Sequence, residues 1–221
     1  MIIKPDKIIR AKRKTVSITV DSSGRLIVRA PLRCSEARIL AFIEKKSEWI
    51  LKHRAKKAHL QSLLPSENLN GFQFSLEGKP AEIRYYNGKR IVFDEENRRL
   101  YLPEGKGEES VQKWLKARAK FVFSELAKLR ANEMGVSYKE VRVSSAKGRW
   151  GSCSQDNTLR FTFRLLYAPI AVIDYVVVHE LAHTAHKNHG KAFWAMVEKH
   201  CPDWKIKRKW LKEHGYFMQI F

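Results

Sequence analysis

The segment from Val176 to Gly190 constrains the fold more than any other part of the sequence, because it carries the pattern His-Glu-x-x-His directly after an apolar run. The apolar run predicts that the segment forms a buried helix. On a helix, positions i and i+4 differ by about 400° of rotation, so His179 and His183 share one face. Two imidazoles one turn apart can bind one metal ion, and Glu180 beside the first can accept a proton from an attacking water. We therefore predict a metal site on this helix, with Glu180 as its base.

The third ligand must lie beyond the helix, because a third side chain on the same face cannot complete a tetrahedron around the metal. His189 is the predicted third ligand, since Asn188 and Gly190 on either side of it permit a turn out of the helix. Two alternatives remain open. His186 is still within the helical register and would project along the helix, and Glu198 could either bind the metal or orient one of the histidines.

The composition is that of a chain with a substantial core. Its 221 residues are 44% hydrophobic and include 11 Phe, 7 Tyr and 6 Trp, which suffices for one large domain or two small ones. There is no run of about 18 apolar residues that would predict a transmembrane helix, and the N-terminal residues lack an apolar signal core. The three cysteines are too dispersed for a disulfide framework or a CxxC pair. We expect a cytoplasmic protein with no membrane partner.

The net charge of +20 favours anionic partners. The excess is uneven, since residues 1–60 carry 16 lysines and arginines against 5 aspartates and glutamates. Nucleic acid is one possible partner of this basic surface, although the sequence has no signature motif of a DNA- or RNA-binding domain. Nucleotides and acidic proteins are other partners that this charge would suit.

Local patterns predict a mixture of helices and short strands. Alternation around Asp21–Gly24 predicts a β-hairpin within residues 8–29, and Asn87-Gly88 predicts a second hairpin turn. Ser35 is the predicted N-cap of a basic helix, and Gly135 the stop of a long one. The other predictions are a linker over 61–70, strands near 72–76, 81–86, 90–94, 99–102, 141–145 and 158–163, and helices over 36–60, 108–134 (with Phe121 and Leu129 among its apolar residues), 169–187 (which Pro169 begins), 191–199 and 205–213.

Three segments of the chain resemble the YgjP-like family of metal-dependent hydrolases, which is related to the SprT and WLM zinc metallopeptidases. The segments are Arg149–Cys153, Tyr175–His183 and Asn188–Trp194. The resemblance implies one zinc ion bound by three histidines, with a catalytic glutamate. The implied zinc ligands and catalytic residue are His179, His183, His189 and Glu180.

The resemblance also implies an α+β fold with a minimal zincin-like metallopeptidase core, in which a small sheet packs on the active-site helix. A β-hairpin and helix would extend this core at the N-terminus. We expect residues 1–105 to form an N-terminal β-rich region with a basic helix, and residues 106–221 to form the zincin-like metal-binding catalytic domain. The histidine spacing equals that of the metzincins, but His186 stands where they carry glycine and no Met-turn is apparent.

Three functions fit these observations. The first is a zinc metallopeptidase acting on a peptide, the second a zinc-dependent hydrolase of an anionic small molecule such as a nucleotide phosphoanhydride, and the third a nucleic-acid-associated, SprT-like protease. Three imidazoles suit one zinc ion, and also nickel, cobalt or iron. Arg149, His186 and Tyr175 are candidate contacts to the substrate or transition state. Basic residues expected beside the cleft are Lys187, Lys191, Lys199, Lys205, Lys207, Arg208 and Lys209.

Overall fold

Residues 3–21, 23–62 and 68–215 are described in this computed structural model of the chain. The chain divides into two units, Met1–Leu64 and Pro65–Phe221. The division falls at residue 64 rather than after residue 105, because the strands between residues 73 and 103 bury their apolar side chains in the same core as the histidine helix. The predicted linker over 61–70 includes residues 63–67, which lie outside the described part of the chain.

The first unit combines a three-stranded sheet with two helices. Its elements are β1 (Lys7–Ala11), β2 (Ser17–Val20), β3 (Leu26–Pro31), α1 (Glu36–Lys45) and α2 (Ser47–Ser62). Strand β3 lies between β1, which is parallel to it, and β2, which is antiparallel to it. The predicted hairpin is therefore confirmed in β2 and β3, and β1 is a strand that the sequence did not predict. The core of this unit consists of Val20, Leu26, Val28, Ala30, Cys34, Ile39, Ile43 and Ile50.

The basic helix predicted over residues 36–60 is two helices. Ser35 caps α1 as predicted, because its side chain accepts a hydrogen bond from the backbone N–H of Arg38. The first helix ends at Lys45, and the backbone leaves the helical region at Lys46, with φ −110° and ψ 12°. The second begins at the next residue, and the core side chains of both helices lie in the apolar cluster of this unit.

The second unit opens with a four-stranded sheet in the order β4-β5-β7-β6. Its strands are β4 (Gln73–Leu76), β5 (Lys79–Tyr86), β6 (Val92–Asp94) and β7 (Arg99–Pro103). The prediction of a hairpin at Asn87-Gly88 is wrong, because β5 pairs in parallel with β7 and β6 pairs with the other edge of β7. The tight hairpin is the one between β4 and β5, where Glu77 and Gly78 adopt φ of 57° and 80°. A Cβ on Gly78 would lie 2.6 Å from the Cα of Pro169, so a glycine there lets the hairpin pack on the start of the histidine helix.

The long helix α3 (Glu108–Met134) follows the four-stranded sheet and ends, as predicted, at Gly135 with a φ of 65°. One face of α3 is buried from Val111 to Met134. Phe121 and Leu129 were expected on this apolar face, but they are 64% and 54% exposed. Both side chains follow the helical spacing of the sequence, yet they lie on the solvent side of a helix whose core positions are taken by other residues.

The elements after α3 include the histidine helix. They are β8 (Glu140–Ser144), β9 (Gly151–Cys153), β10 (Thr158–Thr162), a 3-10 helix (Phe163–Tyr167), α4 (Ile170–Ala185), α5 (Lys191–His200) and α6 (Trp204–His214). Strand β10 lies between a parallel β8 and an antiparallel β9, so β9 is an edge strand of its sheet. Helix α4 packs against α3, β9, α5 and α6.

Helix α4 is fixed to α3 by apolar burial and by one ion pair. From Val172 to Val178 every residue of α4 is buried. Asp174, which lies among them, accepts two hydrogen bonds of 2.7 Å from Arg130 on α3. A bidentate, charge-assisted pair of this kind sets the rotation of α4 as well as its position. In the part of the chain that the structure describes, no helix has both the length and the apolar character needed to cross a membrane.

Candidate metal centre

Helix α4 presents two of the predicted ligands on one of its sides. His179 and His183 are four residues apart and lie on the same side of the helix, as the sequence predicts, and Tyr175 precedes them by one turn. The ring centroids of His179 and His183 are 5.1 Å apart. Tyr175 and His179 of this stripe line a cleft, together with Val176 and Glu180 of the same helix.

The structure brings His189 to the two histidines of α4. The Nε2 atoms of His179 and His189 are 3.1 Å apart, and one ring nitrogen from each of the three histidines lies within 4.8 Å of the others. Nitrogens bound to one tetrahedral zinc are separated by about 3.3 Å, from a bond length of about 2.05 Å. The His179–His189 pair is already near this separation, and the third nitrogen lies close enough for the three side chains to converge on a single ion.

The chain leaves the helix earlier than the sequence suggested, because α4 ends at Ala185. His186 is already extended, with φ −128° and ψ 99°, and its side chain is neither part of the histidine cluster nor among the residues that line the cleft. Its carbonyl instead accepts a hydrogen bond of 3.0 Å from Nδ1 of His183. This bond places the proton of His183 on Nδ1 and leaves Nε2 free as a ligand atom.

A buried aromatic side chain packs against all three histidines of the cluster. The ring of Phe193, at the start of α5, is fully buried, and its centroid lies 4.9, 4.5 and 4.7 Å from those of His179, His183 and His189. The neighbouring Trp194 stacks on His189 at 5.7 Å. Sequence reasoning did not assign these aromatics to the site, although the pair directly follows the His189 turn.

Burial keeps the two histidines of α4 in the neutral form that binds metal. Desolvation, followed by the nearby His183, His189 and Arg208, lowers the pKa of His179 to about 3. Desolvation also lowers the pKa of His183. Neutral imidazoles at physiological pH need not lose a proton before they bind a cation, so the donor set and its electrostatics suit a metal ion.

Glu180 is buried beside this cluster. Glu180 is only 6% exposed, and desolvation raises the pKa of its carboxyl to about 8. Gly151 on β9 makes room for the carboxylate, since a Cβ there would lie 2.6 Å from Oε1 of Glu180. The glycine of the Arg-Trp-Gly-Ser-Cys segment is therefore in direct contact with the predicted base, which the sequence alone did not show.

The cluster opens into a cleft of about 1220 Å³. Of the predicted substrate contacts, Arg149 and Tyr175 line it, whereas the side chain of His186 does not. Burial raises the pKa of Tyr175 to about 12, so its hydroxyl keeps its proton and can donate a hydrogen bond. Glu198, the alternative ligand, is exposed on α5 and lies outside the histidine cluster.

One wall of the cleft is cationic and comes from α6. Four of its basic side chains line the cleft, at positions that share one face of the helix. They are Lys205, Arg208, Lys209 and Lys212. Three of the four are among the basic residues that the sequence predicted beside the cleft. The guanidinium of Arg208 lies 5.4 Å from the ring centroid of Trp194, which itself stacks on Trp204 at 4.2 Å.

Comparison with known proteins gives one significant result. Residues 14–214 match the family described as "YgjP-like, metallopeptidase domain". No curated protein and no solved structure matches the chain significantly. The match confirms the predicted family, and with it the α+β, zincin-like metallopeptidase fold seen in the small sheets packed around α4. This domain spans nearly the whole chain. The chain therefore belongs to the YgjP-like family of metal-dependent hydrolases with a metallopeptidase domain.

Proposed function

We propose that the protein is a zinc-dependent metallopeptidase in which His179, His183 and His189 bind the ion and Glu180 is the general base. The observation that carries this proposal is the convergence of three imidazoles, two of which burial keeps neutral, next to one buried carboxylate that lines an open cleft. Zinc is the ion best suited to three imidazoles that leave an open position, and nickel, cobalt or iron are the other metals that the same donors accept.

The chain's own residues account for the proton transfers of hydrolysis. Zinc, when bound, supplies Lewis-acid polarisation of the scissile carbonyl and a nucleophilic water at neutral pH. Glu180 accepts the proton of the attacking water and donates it to the leaving nitrogen. Because burial raises the pKa of this carboxyl to about 8, the carboxylate is a stronger base than an exposed glutamate. Tyr175 and Arg149 line the same cleft and can donate hydrogen bonds to the oxygen that gains negative charge.

The position of β9 supports a peptide substrate. This strand is the edge of its sheet, and Gly151 at its start lies against Glu180. An edge strand has backbone N–H and C=O groups that can pair with an extended peptide. A peptide added to β9 would therefore run beside the base and the histidine cluster, where one of its carbonyls can meet both.

Peptide hydrolysis by metal-loaded protein tests the proposal. We expect the zinc-loaded protein to cleave casein or a mixture of peptides, and we expect chelation and the Glu180→Gln substitution each to abolish cleavage. The substituted protein should still bind zinc, because the glutamate is not a ligand. Cleavage by Glu180→Gln at the wild-type rate would refute the assignment of the base, and cleavage that resists chelation would refute the requirement for metal.

The cationic wall of α6 favours a second candidate function, the hydrolysis of an anionic small molecule such as a nucleotide phosphoanhydride. Lys205, Arg208, Lys209 and Lys212 face the cleft that contains the histidine cluster, and such side chains bind phosphates well. Release of phosphate or pyrophosphate from nucleoside triphosphates by a protein that cleaves no peptide would decide for this candidate. Loss of that release in a Lys209→Met variant would connect it to α6.

Nucleic-acid binding and a cytoplasmic location stay predictions of the sequence. DNA-stimulated peptide cleavage that weakens steeply with salt would support a SprT-like protease. An unchanged rate on addition of DNA at low salt would exclude it.

A further inference from the structure

We propose that Lys187 is a positioning residue for the metal ligand His189, because it fastens the ligand's loop to the turn between β9 and β10. The proposal rests on the proposed metal site and names a residue that supports it without touching the ion. The loop in question comprises residues 186–190, between the end of α4 and the start of α5. His189 is its fourth residue and is exposed, so burial of its own side chain does not hold it in place.

Both ends of the loop are already fixed. At the start, the carbonyl of His186 accepts a hydrogen bond from His183. At the end, Phe193 is fully buried in the core. In the middle of the loop the His189 ring packs on Phe193 and Trp194, and a polar anchor on this segment adds to that packing in keeping its Nε2 at 3.1 Å from that of His179.

Lys187 provides this anchor through its side chain. Its ammonium donates a hydrogen bond of 2.6 Å to Oδ1 of Asn157 and one of 3.2 Å to the carbonyl of Ser154. The Sγ of Cys153 lies 3.9 Å away from the same nitrogen. All three partners belong to the end of β9 and the turn that follows it, so one side chain joins the ligand loop to the sheet.

The turn that receives Lys187 is itself well ordered by hydrogen bonds. Asn157 adopts a φ of 60°, and its N–H donates to the carbonyl of Ser154. The carboxylate of Asp156 accepts from Ser154, Thr158 and Lys139. These contacts, with Lys139 contributing most, lower the pKa of Asp156, so the carboxylate stays ionised and keeps its hydrogen bonds within the turn.

The same strand therefore supports the site at both ends. Gly151 at its start makes room for Glu180, and the turn after its end holds Lys187. The base and the third ligand lie on different segments of the chain, and β9 sets their relative position. Supporting contacts of this type change metal affinity by about 10- to 100-fold when they are removed.

Zinc affinity tests the proposal, measured by competition with a chromophoric chelator. Removal of a positive charge near a dication site should strengthen zinc binding if charge alone matters. The positioning role predicts the opposite: Lys187→Met should weaken zinc binding about tenfold. Lys187→Arg should retain most of the affinity. Lys191→Met, which removes an exposed cation two residues after His189, is the matched control and should not weaken binding.

A second variant approaches the contact from its other side. Asn157→Gly keeps the left-handed backbone of the turn and removes the amide acceptor, so it should also weaken zinc binding. Because both substitutions break one contact, the double variant should bind zinc about as weakly as Lys187→Met alone. Urea denaturation of the metal-free proteins separates this effect from unfolding, since an exposed contact contributes little to stability.

Three outcomes would overturn the proposal. They are wild-type zinc affinity in both Lys187→Met and Asn157→Gly, fully additive losses in the double variant, and an equal loss in Lys191→Met. A wild-type protein that binds no zinc would overturn the proposed function along with the positioning role, whereas normal wild-type binding with unchanged variants would overturn only the role of Lys187.

Discussion

The contact between Gly151 and Glu180 makes a demanding prediction, because it involves the smallest possible change in the site. A methyl group at position 151 would lie 2.6, 2.7 and 2.9 Å from Oε1, Cγ and Cδ of Glu180. Ordinary contacts between such atoms begin at about 3.5 Å. The methyl group of a Gly151→Ala variant therefore overlaps the carboxylate by about 0.6 to 0.9 Å, the difference between these distances.

The magnitude of the effect follows from this overlap. Glu180 is buried except where it lines the cleft, so a methyl group at position 151 would displace its carboxylate toward the cleft. A displacement of about 1 Å in a catalytic group costs about 100-fold in rate, which corresponds to about 2.7 kcal/mol in the activation free energy. The three histidines do not contact Gly151 in this way, so zinc affinity should be unchanged. We expect Gly151→Ala to lower kcat about 100-fold and to keep its zinc.

The assay compares kcat and zinc content in Gly151→Ala, Gly148→Ala and the wild type. Gly148 lies three residues earlier, and a Cβ there meets nothing within 4 Å, so its variant should be as active as the wild type. A wild-type kcat in Gly151→Ala would show that the carboxylate does not need its present position, and would refute the role of Glu180 as base. Loss of zinc together with activity would show that the substitution disturbs the whole site instead.

Three further predictions concern stability and the ligand set. Asp174→Asn should lower the free energy of unfolding, measured by urea denaturation, by about 2 kcal/mol, because it removes the bidentate partner of Arg130 inside the core. Glu133→Gln removes the more exposed partner of the same arginine and should lower the free energy of unfolding by less than about 1 kcal/mol. Equal losses in the two variants would contradict this ranking. Phe193→Leu should cost about 1 kcal/mol and weaken zinc binding in chelator competition, because its ring packs against all three histidines; unchanged zinc affinity would show that this packing is dispensable. His186→Ala should leave zinc affinity at the wild-type level, because only the backbone carbonyl of this residue serves the site, and a large loss by the same measurement would restore its side chain as a ligand.

Local sequence signals accounted for the elements that carry the histidine cluster. The apolar run before His179 predicted a buried helix, and every residue of α4 from Val172 to Val178 is buried. Asn188 and Gly190 predicted a turn that brings His189 back to the cluster, and the structure has these residues in a loop. Hydrophobic periodicity and turn-forming residues report on the local conformation of the chain. The buried helix and the turn at His189 could be predicted because both are set by residues close together in the sequence.

The features that sequence reasoning missed depend on distant contacts. Asn87-Gly88 has the composition of a hairpin turn, but β7 pairs with β5 and separates it from β6. Phe121 fits the helical period of α3 although it faces solvent. The closeness of Gly151 to Glu180 could not be foreseen, because β9 and α4 are 29 residues apart at these positions and their contact is set by packing.

The measurement that tests the central claim most directly is the zinc content and zinc affinity of the purified protein and its histidine variants. We expect one zinc ion per chain in the wild type and in Glu180→Gln. Each of His179→Ala, His183→Ala and His189→Ala should weaken zinc binding by about 100-fold or more, because each removes one of three protein ligands. Retention of zinc at wild-type affinity by any of these three variants, or a wild-type protein that takes up no zinc, would contradict the account.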